Sequence, residues 1–186
     1  MQVTSSGCAP DSFATRDSST NYCERSNWFA LQLIKKERPD TIIVAQNDEH
    51  SAAKMSLIRS TLASLGIKNV IFAGPTVHWQ RDLPKVILRD LWQNTPQKTF
   101  VGVDDKILEV NKTLENDFKS SASSQFISII DYFCDKEGCL THIGKDRKLG
   151  ITSFDYGHLT PIASDAFARD VLVPAIMKQK DLKADL

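Results

Sequence analysis

Two patterns of apolar residues alternate along this chain. Some are short continuous runs, such as Ile42-Ile43-Val44-Ala45 and Val70-Ile71-Phe72-Ala73, and others return every three or four positions, as in Trp28, Leu31 and Ile34 or Met55, Ile58, Leu62 and Leu65. The first is the pattern of strands inside a sheet; the second is that of helices laid on a core.

The spacing predicts a helix over 24–37 ended by Pro39, a strand over 41–45 covered on both faces, a helix over 51–65 stopped by Gly66, and a buried strand over 69–73. Further helices are expected over 83–92 and 105–119, a strand over 125–132, and a last helix from Pro161, for which Thr160 is the natural cap. Strands that alternate with helices make this an α/β fold with a mainly parallel sheet. The polar opening segment and the Ser-rich run at 120–124 read as loops, and the lysine-rich end at 178–183 as a solvated helix terminus.

At 186 residues, 41% of them apolar, the chain is expected to form one domain with a substantial core. Lys plus Arg and Asp plus Glu balance at 23 each, so there is no global positive field and no nucleic-acid partner is expected. The apolar runs fall far short of the roughly 20 residues that span a bilayer. The first residues have neither the basic nor the apolar stretch of a secretory signal.

The four cysteines pull toward an oxidising compartment: Cys8 and Cys23 lie in a polar segment, and Cys134 and Cys139 flank the tight turn Asp-Lys-Glu-Gly. Two local disulfides fit this spacing, with a zinc site or free thiols as the rivals; paired Cys-x-x-Cys motifs are absent. Disulfides without a signal imply a piece of a longer exported protein.

The sharpest chemical signal is Phe154-Asp155-Tyr156-Gly157-His158-Leu159-Thr160-Pro161, an Asp and a His three residues apart just before a helix. On such a turn the carboxylate can accept from the imidazole Nδ1–H, fixing the tautomer and leaving Nε2 to take a proton from a nucleophile. The bland alternative is a capping loop whose Asp and His are merely polar. A second signal stands at the end of the 41–45 strand, where ligand sites of parallel sheets lie: Asn47 could aim its amide at an oxyanion, or Asn47 and Asp48 could form a turn ahead of the helix at Ser51. His78 and Trp79 read as a packed loop more than a substrate border, and His50 and His142 as surface residues.

Taken in order, these blocks resemble the SGNH (GDSL-like) hydrolase superfamily. Ile43-Val44-Ala45-Gln46-Asn47-Asp48 resembles its Gly-x-Asn-Asp block with Ala for Gly, and Asp155-Tyr156-Gly157-His158-Leu159 its Asp-x-x-His-Leu block. Ser6-Gly7-Cys8-Ala9-Pro10, the segment Gly74-Pro75-Thr76-Val77-His78-Trp79 with Leu83-Pro84, and the Cys134/Cys139 pair resemble more narrowly the C-terminal SGNH domains fused to membrane sugar O-acyltransferases. The resemblance implies a three-layer, flavodoxin-like fold and a periplasmic or extracytoplasmic domain tethered to a membrane acyltransferase domain. It implies O-acyl transfer, of acetyl above all, or ester hydrolysis on cell-envelope carbohydrate. The site it implies has His158 as base, Asp155 as its orienter, and Gly7 (backbone) and Asn47 (side chain) as oxyanion donors. Its partners would be an acylated carbohydrate or acyl donor, with no metal or organic cofactor required.

The family's serine sits in a Gly-Asp-Ser turn after a first strand, ahead of the Gly7 block, and that tripeptide occurs nowhere here. The expectation is therefore a domain shortened at its N-terminus, its first strand missing, with an apolar groove beside the 41–45 strand. Ser12 and Ser18 are superficial substitutes, since neither follows an apolar strand. A non-catalytic carbohydrate-binding or docking module with the same fold is the alternative reading.

Overall fold

The structure, a computed structural model, describes residues 1–10, 20–119 and 125–184. Ser12, Ser18 and the 120–124 run lie outside the described residues. The chain divides into two compact units, residues 1–75 with 113–127 and residues 76–112 with 128–186.

The first unit holds the parallel sheet. Helix α1 (Tyr22–Glu37) starts where the Asn21 side chain accepts from the N–H groups of Cys23 and Glu24, two of the donors a helix start leaves unpaired. It ends at Arg38, whose φ of 44° is left-handed, just before Pro39. Strand β1 (Thr41–Val44) follows, then α2 (Ala52–Ser64), capped by Ser51. Gly66, at φ 85°, supplies the left-handed residue that turns the chain into β2 (Asn69–Ala73), as its position after the helix predicts. The strand order is β1-β2-β4, all parallel, with β4 being Gln125–Ile127. Met55, Ile58 and Leu62 of α2 and Val70, Ile71 and Phe72 of β2 form the buried core, and Phe118 packs its ring against Phe72 and Phe126.

Two expectations fail in this sheet. The strand over 125–132 stops at Ile127, because the Ser128 hydroxyl accepts the Asp131 N–H and starts a helical turn, α5 (Ile130–Phe133). Strand β1 is not covered on both faces: Val44 is buried but Ile43 is 42% exposed, and among the described residues β1 pairs with β2 alone.

In the second unit, α3 (Leu83–Val86) runs on as a wider π turn through Leu91. A small antiparallel sheet, ordered β3-β6-β5, is made from β3 (Lys98–Thr99), β5 (Cys134–Asp135) and β6 (Gly138–Leu140). Helix α4 (Asp105–Lys119), whose residues from Thr113 onward belong to the first unit, has the predicted bounds. The C-terminal helices are α6 (Pro161–Phe167), which continues through a second π turn, and α7 (Val173–Ala184).

All four cysteines are paired, Cys8 with Cys23 and Cys134 with Cys139, so none is available as a zinc ligand. The second pair locks the β5–β6 hairpin at a directly opposed position. Among the described residues, no helix is long and apolar enough to cross a membrane.

Candidate active site

The loop over 151–160 is closed at its base before it does anything chemical. Thr160 donates its N–H to Thr152 O and its hydroxyl to Ile151 O, while the same hydroxyl oxygen faces the Ala163 N–H at the start of α6. Ser153 and Leu159 pair as an antiparallel bridge, and the Ser153 hydroxyl donates to His158 O at 2.7 Å.

Within that ring the Asp155 carboxylate folds back on the chain. Its Oδ1 accepts the N–H groups of Gly157 at 2.9 Å and His158 at 2.7 Å, and its Oδ2 lies 2.6 Å from His158 Nδ1. A carboxylate in this position can only accept, so Nδ1 carries the proton and Nε2 is the basic nitrogen of the neutral ring. Burial pushes the Asp155 carboxyl up, but the two backbone N–H groups and the imidazole together hold it below its ordinary value. The carboxylate is mostly covered, whereas the His158 side chain is 59% exposed. Its ring stacks on Phe154 (centroids 5.6 Å apart, 15° between planes) and meets Tyr156 edge-on at 6.0 Å.

Asp155 and His158 are thus brought together in the second unit. Gly7 and Asn47 belong to the first. Gly7 is exposed in a turn at φ 68°, and that turn is tied to α1 by the Cys8–Cys23 disulfide, by Ser5 donating to Ser26, and by Asn27 donating to Ala9 O. Asn47 is exposed just after β1, in a turn where its Nδ2 donates to Asp48 Oδ2 at 2.7 Å.

Two histidines are misplaced by the sequence reading. His142 is only 8% exposed, and His50 is half-buried. The Thr141 hydroxyl gives its one hydrogen to Pro96 O at 2.6 Å, so at 2.9 Å from His142 Nδ1 it must accept, which places the His142 proton on Nδ1. His78 and Trp79 are both buried, as a packed loop requires. The supporting groups Thr76, Ser153 and Gly157 had no individual sequence signal, except that Gly157 sits between the Asp and the His. Among the described residues, no group of three or more His, Cys, Asp or Glu is arranged to hold a metal.

These features define an α/β protein with a parallel sheet and a carboxylate-imidazole pair mounted on a loop ahead of a helix. The chain belongs to the family described as SGNH domain (fused to AT3 domains), whose model matches residues 1–172. Among solved structures it is similar to the periplasmic domain of a lipopolysaccharide acetyltransferase of Salmonella ser. Paratyphi A, with a TM-score of 0.78 at 22% identity over 91% of this chain and 69% of that one. No curated protein matches it.

Proposed function

We propose that this domain moves or hydrolyses an O-acyl group, acetyl above all, on a cell-envelope carbohydrate, with His158 as general base and Asp155 as its orienter. The observation that carries the reading is the short Asp155–His158 contact, which fixes the tautomer a general base needs on an exposed ring. In this reading a serine hydroxyl gives its proton to His158 Nε2 as its oxygen attacks the acyl carbonyl. The Gly7 N–H and the Asn47 amide stabilise the resulting oxyanion, and the imidazolium, held by Asp155, returns the proton to the leaving alcohol. Water then releases the acyl group as acid, or a sugar hydroxyl accepts it.

The family's fusion to AT3 domains and the two disulfides support an extracytoplasmic domain beside a membrane acyltransferase domain. The Salmonella neighbour, a lipopolysaccharide acetyltransferase, supports a saccharide as acceptor. The test is release of acetate from a small aryl acetate by the full gene product. Turnover that His158→Ala abolishes is the expected result. Saccharide binding with no turnover would overturn it in favour of a docking module.

A further inference from the structure

Three consecutive backbone carbonyls of the Asp-His loop are held by one short segment. The N–H of Leu83 donates to Asp155 O at 2.9 Å, the N–H of Trp79 to Tyr156 O at 2.7 Å, and the Thr76 hydroxyl to Gly157 O at 2.8 Å. The segment over 76–83 is itself anchored from behind. Asp104 N donates to His78 O and Gln80 N to Gly102 O, and Trp79 pairs with Val103. Val77, His78, Trp79 and Leu83 are each less than 9% exposed.

The fit is closest at Gly157, which is buried. A Cβ built there would stand 2.8 Å from His78 Cδ2 and 3.2 Å from His78 Nε2, too close for any side chain unless the imidazole moves. Across the same ring, Tyr156 meets His78 edge-to-face at 5.3 Å. The His78 ring is therefore wedged against two residues of the four that carry the carboxylate-imidazole pair. Gly157 also supplies one of the two N–H groups that hold the Asp155 carboxylate, so any tilt of Gly157 moves Asp155 Oδ1 directly.

We infer that Thr76 is a positioning residue for the Asp155–His158 pair, setting the pitch of the loop through Gly157, whose lack of a side chain lets the loop seat against the His78 ring. Its consequence for turnover rests on the acyl-transfer reading; its consequence for the imidazole does not. Catalytic geometry is sensitive to such shifts, a displacement of about 1 Å costing as much as about 10²-fold in rate.

The test reads the His158 ring by nitrogen-15 NMR in this chain, which reports which ring nitrogen holds the proton whether or not the domain turns over. Thr76→Val removes the donor at nearly constant volume and Thr76→Ser keeps it. Gly157→Ala drives a methyl into His78, and Gly157→Ala with His78→Ala makes room again. The expected result is a single Nδ1–H form in the wild type and Thr76→Ser, a mixture of both forms in Thr76→Val and Gly157→Ala, and recovery in the double variant. In the full gene product, Thr76→Val should lower kcat by up to about 10²-fold with KM unchanged.

A wild-type nitrogen pattern in folded Thr76→Val would overturn the inference, as would a Thr76→Ser variant as perturbed as Thr76→Val. Should Gly157→Ala not fold, recovery of folding by His78→Ala in the same chain supports the wedge, and failure to recover counts against it. A tautomer shift without any change in turnover would leave the positioning role standing and sink the proposed function instead.

Discussion

The Asp155 carboxylate grips His158 twice, taking its backbone N–H on one oxygen at 2.7 Å and its ring Nδ1–H on the other at 2.6 Å. One side chain therefore fixes both where the imidazole is attached and how it is turned.

Asp155→Asn separates these two duties. The amide oxygen can still accept the Gly157 and His158 N–H groups, but the amide nitrogen cannot accept from Nδ1–H, so the ring must turn or change tautomer. Turnover should fall by about 10²- to 10⁴-fold while the thermal midpoint barely moves. Asp155→Ala, which removes both grips, should lower the midpoint as well. Equal activity of wild type and Asp155→Asn would contradict the assigned role.

Acid should reach this loop late. Because the native Asp155 carboxyl is held below its ordinary value, the unfolded chain takes up that proton more readily than the folded one. The stabilisation is complete above the ordinary aspartate range and disappears only as pH falls through the lower native value. Carbon-13 titration of the Asp155 carboxyl should give a midpoint below the model-peptide value of about 3.9, and a midpoint above it would refute the assignment.

His142 should respond at milder acidity. Burial, with Arg147 adding to it and Asp146 opposing, holds its imidazole below the ordinary value. The folded chain then resists a proton that the unfolded chain accepts near about pH 6.5, so this contribution is full above that pH and is lost as pH falls below it. Urea midpoints measured from about pH 7.5 to about pH 5.5 should fall in the wild type and fall less in His142→Asn, whose amide can still donate to Thr141. Parallel slopes in the two proteins would show that another group is responsible.

The two disulfides should differ in what they contribute. Cys8 and Cys23 are 15 residues apart and Cys134 and Cys139 only 5, and loop-closure entropy alone gives about 3 and about 2 kcal/mol respectively. Paired Cys→Ser variants followed by urea denaturation should rank in that order. The Cys8/Cys23 variant should also free the Gly7 turn from α1, seen as faster amide exchange at residues 5–9.

What the sequence disclosed depended on how local the cause was. Caps and stops sit beside the elements they end, so Gly66 and Thr160 could be read directly, and the spacing of Asp155 and His158 already contained their hydrogen bond. The antiparallel sheet could not be read, because strands of two or three residues are too short to show a period. The 126–130 stretch, apolar except for Ser128, fits a strand or a helical turn equally well, and the Ser128 hydroxyl decides between them.

Burial of a single residue was equally hidden. Ile43 looks like any interior strand residue until its pairing partners are known, and a lone histidine such as His142 gives no periodic sign of its burial beside the Thr141 hydroxyl. Thr76 lies in a block that carries the family resemblance, yet its contact with the Asp-His loop spans 81 residues of sequence, a separation no local pattern reports.

Closing the 151–160 ring at Thr152 and Thr160 has an effect on what can vary. The bonds that set its curvature all point inward or toward the backbone, whereas Phe154 is exposed and stacks its ring on the imidazole. The loop thus behaves as a fixed socket with one interchangeable rim, and exchanging Phe154 should retune what the imidazole meets while leaving its mounting intact.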